Sequence, residues 1–301
     1  MKRTLLCIHV MPHEFVMFER WIADLRKALA CLGHDDHLVL RASLNLNPKL
    51  VDWKESSLTP DYFVDRFLQL TRGIVNINEV ISDESLWGTT QQRRESIALD
   101  YDQFIFADAD LAFPPHFLKG HLDASYPLQG RYMIFPYMVR LWDSTWDCIV
   151  HPDFLSKELN YHFTHDPEIT RTQPRREMRA RQLDGLKFSG GWFTLYSKEF
   201  FDFVGIPESL GGYGAEDTYV GFASVIARQN GFPIDTYNLE GVYISEDYLH
   251  RDSTYGGQIK LFDRRKEMRD AAEKNVPAEL NNFAKRALGK DLHFFLGAYT
   301  P

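Results

Sequence analysis

Residues 4–10, mostly apolar, read as a fully buried strand that Pro12 closes. From Glu14 to Leu32, the apolar residues Phe15, Phe18, Ile22, Leu25 and Leu29 return at helical spacing, and Gly33 stops the helix. Residues 37–46 predict a second strand, closed by Asn47-Pro48. Thr59-Pro60-Asp61 then opens a helix as a cap followed by an early proline, running to Arg72 with Gly73 as its stop. Residues 74–81 predict a strand, 89–99 a helix and 103–107 a short apolar strand. Strands alternating with helices at this spacing imply an α/β protein with a mostly parallel sheet covered on both faces.

The second half is less regular. Residues 131–141 and 187–196 predict strands, 216–230 a helix ended by Gly231-Phe232-Pro233, and 234–244 a further strand. From Ile259 the chain is charged and helical, with Pro277 as an expected break. No internal repeat, low-complexity tract or flexible linker interrupts it.

Open parallel sheets bind ligands at the carboxyl ends of their strands. Three polar clusters fall there: Pro12-His13-Glu14, Asn45-Leu46-Asn47 and Asp108-Ala109-Asp110. The 301 residues suffice for one large core or two fused halves. A net charge of -8 speaks against a polyanion such as nucleic acid as the partner. Cys7, Cys31 and Cys148 are odd in number and contain no C-x-x-C pair, which fits a reducing compartment and offers no disulfide frame. The amino-terminal apolar run meets Pro12 at once and lacks a small-residue cleavage site, so it reads as a strand and not a signal peptide. No apolar run approaches the ~20 residues that span a bilayer. A cytoplasmic location, with no integral membrane segment, is the expectation.

The strongest chemical motif is the stretch from Phe104 to Pro115, in which an apolar strand delivers Asp108 and Asp110 into solvent and the chain turns at two prolines. Hard cations such as Mn²⁺ or Mg²⁺ take carboxylate oxygens, commonly one or two from the protein, with phosphate and water completing the shell. D-x-D alone is common, and a turn whose acids merely cap or solvate would share it. An apolar strand, Asp-x-Asp, an apolar residue and a nearby proline together resemble the signature of the GT-A fold glycosyltransferases. That resemblance implies a GT-A central sheet flanked by helices, with Asp110 on a metal that bridges the donor diphosphate. It implies Asp108 on the ribose or the metal's shell, making Asp108, Asp110 and a histidine the metal set. It also makes Pro12, His13, Glu14 and Asn47 candidates for the nucleotide cradle, and Arg93 and Arg94 candidates for facing phosphate. A solvated helix face would equally account for the two arginines.

A second acid pair, Glu216-Asp217, stands at a helix start after Gly211-Gly212-Tyr213-Gly214-Ala215, where acids are also ordinary caps. Gly190-Gly191-Trp192, a spacer of some twenty residues and this loop together resemble the acceptor and catalytic segment of inverting GT-A enzymes. The β-1,4-galactosyltransferases and chondroitin-polymerase-like bacterial transferases, with their Trp-Gly-Gly-Glu-Asp string, are the families concerned. Here Tyr213 replaces the Trp and Ala215 the last Gly. The resemblance implies Asp217 as general base and Glu216 as a ligand of donor or acceptor hydroxyls. It further implies Gly190, Gly191 and Trp192 beside the donor, His250 as third metal ligand and Arg251 near phosphate. Inverting transfer needs one carboxylate to take the acceptor proton and a cation to compensate the leaving diphosphate; both are available.

The expectation is therefore a hexosyltransferase-like enzyme using a nucleotide sugar, with UDP the favoured carrier, and a glycan or other hydroxyl acceptor. Residues 1–255 would be the catalytic domain, 1–115 binding nucleotide and 116–255 acceptor, with 256–301 a helical extension. The arginines between Arg171 and Lys187 suit a lid over the diphosphate, a patch for an anionic acceptor, or plain solvation. Rival readings are the same chemistry on modified nucleic acid, an inactive glycan-binding relative, retention of configuration, and a nucleotidyltransferase. The last lacks its Gly-rich basic loop at Met11-Pro12-His13-Glu14-Phe15.

Overall fold

The computed structural model describes residues 2–84, 87–139, 166–184, 192–247, 259 and 264–290. The first half alternates as its periodicity predicts: β1 (Arg3–Val10), α1 (Phe15–Leu29), β2 (His37–Asn45), α2 (Pro60–Thr71), β3 (Ile77–Ile81), α3 (Thr89–Ile97) and β4 (Gln103–Ala107). Thr59 caps α2 by accepting the amide of Tyr62 at 3.4 Å. β3 begins later than its apolar pattern because the amides of Ile74 and Val75 still close onto the carbonyl of Thr71. Then follow β5 (Leu111–Ala112), α4 (Phe117–Ser125), β6 (Tyr132–Val139), α5 (Pro167–Arg171) and β7 (Arg179–Gln182). β8 (Phe193–Ser197), α6 (Lys198–Val204), α7 (Glu216–Gln229), β9 (Asp235–Glu246) and α8 (Arg264–Phe283) complete the described elements.

The described strands form one sheet in the order β3-β2-β1-β4-β8-β6-β9-β5, with β7 also on β9. From β3 to β4 the pairings are parallel. Beyond β4 the sheet is mixed: β8 runs antiparallel to both β4 and β6, β9 is parallel to β6, and β5 and β7 are antiparallel to β9. The sheet is thus partly parallel, and a mostly parallel sheet holds only for the first half. An apolar run carries no direction, so periodicity could not distinguish the two.

Strand alternation divides the core. β1 gives Leu6, Ile8 and Val10 to one face and Leu5 and Cys7 to the other, and β4 gives Ile105 and Ala107 against Phe104 and Phe106. α1, α2 and α4 cover the first face with Phe15, Phe18, Trp21, Phe63, Phe67, Phe117 and Leu122. α6, α7 and α8 cover the second through Phe200, Phe201, Tyr219, Ala223, Val276 and Phe283. Burial on both faces explains why these strands read as mostly apolar runs. Among the described residues no helix is long and apolar enough to cross a membrane.

Three arginines of the arginine-rich stretch make intramolecular pairs, while Arg175 and Arg176 are exposed. Arg171 is buried at the end of α5, and Arg179 and Arg181 of β7 both pair with Glu240 of β9. Pro277 does not break the last helix, which runs through it from Arg264 to Phe283. Ala272, Val276 and Phe283 are buried against the second core, and that packing outweighs the lost backbone hydrogen bond. Pro277→Ala restores a donor and is expected to raise stability by about 1–3 kcal/mol, read by thermal or urea unfolding. Lower stability in the variant would show that the helix is shaped around the proline.

Candidate active site

The three polar clusters lie at the carboxyl ends of β1, β2 and β4, and α3 and α7 bring their amino-terminal turns to the same rim. α3 starts at Gly88, whose neighbours Thr90 and Gln91 donate their amides to the carbonyl of Gly212 at 3.0 and 3.3 Å. A Cβ on Gly88 would stand 2.6 Å from that same oxygen, so only glycine allows the approach. The approach draws in the loop preceding α7. That loop turns on left-handed backbone at Gly211, Gly214 and Ala215, the last with φ 61°. Ala215 stands where the resembled string has glycine, and holding an L residue there costs on the order of 1–2 kcal/mol.

The consequence is a contact between motifs far apart in sequence. Arg93 of α3 donates from Nη1 to Glu216 Oε1 at 2.6 Å and from Nη2 to Asp108 Oδ1 at 3.1 Å. Thr90 Oγ1 donates to Glu216 Oε2 at 2.7 Å. Arg93 also lies over the ring of Phe106, 5.3 Å from its centroid. Burial opposes its charge, but Glu216, Asp108 and Asp217 outweigh that and hold its pKa above the usual arginine value. Its partners differ in exposure: the Glu216 side chain is 8% exposed and that of Asp108 is 43%. Asp108 therefore reaches the open cleft, while Glu216 is walled in.

Asp108 continues the strand by donating its amide to the carbonyl of Trp192 at 2.9 Å. Loss of solvation at the cleft floor pushes its pKa up and Arg93 pulls it down, while Asp110, Glu14 and Asp217 add to the rise, which reaches about 7. Lost solvation is the leading cause of the upward direction, and the crowding of several carboxylates around one buried arginine reinforces it. Asp110 follows at the turn, its carbonyl accepting the amide of Asp247 at 2.6 Å. Asp217 Oδ1 accepts the amide of Thr218 at 2.7 Å, which orients the carboxylate at the start of α7.

Comparison with known proteins is decided at the level of fold. No protein-family model matches the chain, and no curated protein is detectably similar in sequence. Among solved structures the chain is similar to GalNAc-T7 with UDP, GalNAc and Mn²⁺, at 12% identity over 99% of this chain and 56% of that one, with a TM-score of 0.50. It also matches TarS residues 1–349 of S. aureus, at 13% identity over 98% of this chain and 76% of that one, with a TM-score of 0.48. Glucosyl-3-phosphoglycerate synthase from Mycobacterium tuberculosis with Mg²⁺ and UDP gives 14% identity, 99% and 86% coverage, and a TM-score of 0.44. The fold is GT-A.

On this GT-A sheet the expected site residues part company. Pro12, His13 and Glu14 form a short 3-10 turn after β1; Glu14 accepts the amide of Met11 at 2.9 Å and adds its charge to the acid cluster. Asn47 is buried, and its Oδ1 accepts the amide of Lys49 at 2.7 Å, closing the turn after β2. Arg94 turns away from Arg93 and donates to the carbonyls of Ile206, Pro207 and Gly211, tying down the stretch that leads into the α7 loop. Gly190, Gly191, His250 and Arg251 lie outside the described residues.

Thr90 and Gly88 escaped the sequence reading, as did the contact between Gly88 and Gly212. Thr90 and Glu216 are 126 positions apart, and nothing local links them. A second group also gathers at the rim: buried His9 lies 3.2 Å from Thr89 Oγ1 and 3.4 Å from the Asn45 amide, with Trp87 beside its ring. Among the described residues no three His, Cys, Asp or Glu side chains could hold a metal by themselves. Asp108 and Asp110 are nonetheless hard oxygen donors, and the mutual repulsion that raises Asp108 is what a divalent cation relieves.

Raised folded-state pKa means that the metal-free native protein holds the Asp108 proton more tightly than the unfolded chain, whose value is near 3.8. Stability from this group is therefore fully present below about pH 3.8 and lost progressively as pH rises from there through about 7. Asp108→Asn, which imitates the protonated acid, is expected to melt above wild type at about pH 8 in EDTA, with the gap shrinking as pH falls below about 7 and closing only near pH 4. Parallel melting profiles for the two proteins across that range would contradict the assignment.

Proposed function

We propose that this chain is a metal-dependent glycosyltransferase that moves a sugar from a nucleoside-diphosphate sugar to an acceptor hydroxyl, with inversion at the anomeric carbon. The observation that carries this reading is the bridge Glu216–Arg93–Asp108, which ties the Asp-x-Asp turn to the acid pair of α7 across one rim. A donor diphosphate at Asp108-Ala109-Asp110 then has its sugar directed toward Asp217. UDP is the favoured carrier, since GalNAc-T7, which shares the fold, is described with UDP and Mn²⁺.

A cation held by Asp108 and Asp110, Mn²⁺ or Mg²⁺, would supply charge compensation for the departing diphosphate. The chain's own residues do the rest. Asp217, oriented by the Thr218 amide, takes the proton of the acceptor hydroxyl as its oxygen attacks the anomeric carbon. Glu216, locked by Arg93 and Thr90 and walled off from the cleft, fixes the start of α7 that carries Asp217, where the sequence had it reaching sugar hydroxyls. Arg93 keeps the two acids from driving the turn and the loop apart. In this reading residues 1–115 bind nucleotide, 116–255 bind acceptor, and 256–301 form an extension.

Asp110→Ala is expected to abolish Mn²⁺-dependent binding of UDP. Asp217→Asn is expected to keep that binding and lose transfer by about 10²–10⁴-fold. Isothermal titration with UDP and Mn²⁺, and turnover across a panel of nucleotide sugars with EDTA controls, read both. Loss of donor binding in Asp217→Asn would remove it as the base, and a wild-type protein that binds no nucleoside diphosphate would end the transferase reading.

A further inference from the structure

The turn that carries Asp110 is anchored weakly by its own strand. β5, directly after it, has only two residues, Leu111 and Ala112, paired with Glu246 and Ser245 at the end of β9. So short a ladder is marginal by itself. One more rung is added by Asp247, whose amide donates to the carbonyl of Asp110 at 2.6 Å. What holds Asp247 is a largely buried ion cluster built on α1 and α5. Its Oδ2 accepts from Arg171 Nη2 at 2.5 Å and from Arg20 Nε at 2.8 Å. Arg171 further reaches Asp24 at 2.7 Å and Glu168 at 2.8 Å, and Arg20 reaches Glu168 at 2.7 Å. Thr170 adds a hydrogen bond to Ser245 at 2.8 Å, clamping the same end of β9.

These groups come from α1, α5 and β9, and none belongs to the acid cluster of the cleft. The Asp247 side chain is 1% exposed, so its carboxylate has no role at the surface and every reason to stay where the two arginines hold it. We propose that Asp247 is a positioning residue for Asp110, transmitting the rigidity of the α1–α5 ion cluster to the turn that presents the Asp110 carboxylate. Its functional meaning rests on the donor-site reading above, while its structural content does not.

Asp24 provides the control, because it binds the same Arg171 guanidinium from α1, while the hydrogen bond to the Asp110 carbonyl comes from Asp247. Asp247→Asn keeps the shape and the backbone donor and removes the charge that Arg171 and Arg20 grip. Hydrogen–deuterium exchange of the segment from Asp108 to Phe113 is expected to accelerate about tenfold in Asp247→Asn and to stay at the wild-type rate in Asp24→Asn. The Mn²⁺ concentration for half-maximal UDP binding should rise about 10–100-fold in the first variant only. Should Asp247→Asn fail to fold, Arg20→Gln, at a half-exposed member of the cluster, is expected to give the same contrast at smaller amplitude. Unchanged exchange in the Asp247 and Arg20 variants, or equal acceleration in Asp24→Asn, overturns the proposal. If the wild-type protein binds no UDP with Mn²⁺, the donor reading falls, and the exchange contrast alone then decides whether Asp247 holds the turn.

Discussion

A single buried guanidinium ties this site together. Arg93 projects from the middle of α3 into a gap between the end of β4 and the start of α7, and it satisfies one acid from each. Without it, the Glu216 carboxylate would keep only the Thr90 hydroxyl of the two side-chain partners named above, and Asp108 would lose the guanidinium that offsets its carboxylate neighbours. Breaking such a buried contact by removing one partner typically costs about 3–5 kcal/mol. The Phe106 face beneath the guanidinium and the Thr90 hydroxyl beside Glu216 complete its environment. The cleft therefore has a rigid, neutralised floor and an acidic rim.

The surplus of acids at that rim is chemically useful because it is not self-sufficient. Glu14, Asp110 and Asp217 all disfavour the ionised form of Asp108, so the cleft favours an added positive charge. A loop with three left-handed residues supports the arrangement from one side, and α8 supports that loop in turn. A Cβ on Gly214 would stand 3.1 Å from the stem of Arg269, and Asn275 and Glu279 hydrogen-bond the backbone carbonyl and hydroxyl of Ser209. The helix α8 is thus part of what sets the geometry of the acid pair.

Two arginine clusters flank the same sheet with similar logic. Arg41 bridges β2 to β3 and α3 through Glu79 and Glu95, and Arg171 bridges α1, α5 and β9 through Asp24, Glu168 and Asp247. Each links elements that hydrophobic packing alone would leave free to slide. Planar, multiply donating guanidinium suits that task where a lysine would not. The spending of Arg171, Arg179 and Arg181 on internal pairs also gives the basic stretch a structural use that its sequence did not disclose.

Local pattern determined a good deal by itself. Mostly apolar runs in β1 and β4 specified strands buried on both faces, and the run ending at Asp108 and Asp110 specified acids at a strand terminus, because side-chain alternation and burial act within a few residues. The glycine-rich approach to Glu216-Asp217 likewise marked a helix start. The tertiary structure alone decided which partner each charged group meets. Arg93 and Arg94 are adjacent, yet successive residues on a helix point about 100° apart, so one enters the cleft and the other binds loop carbonyls. The direction of β8, the passage of α8 through Pro277 and the meeting of Gly88 with Gly212 were equally illegible. Each depends on a surface supplied by residues far away in the chain, and a linear pattern carries no record of which distant surface will be there.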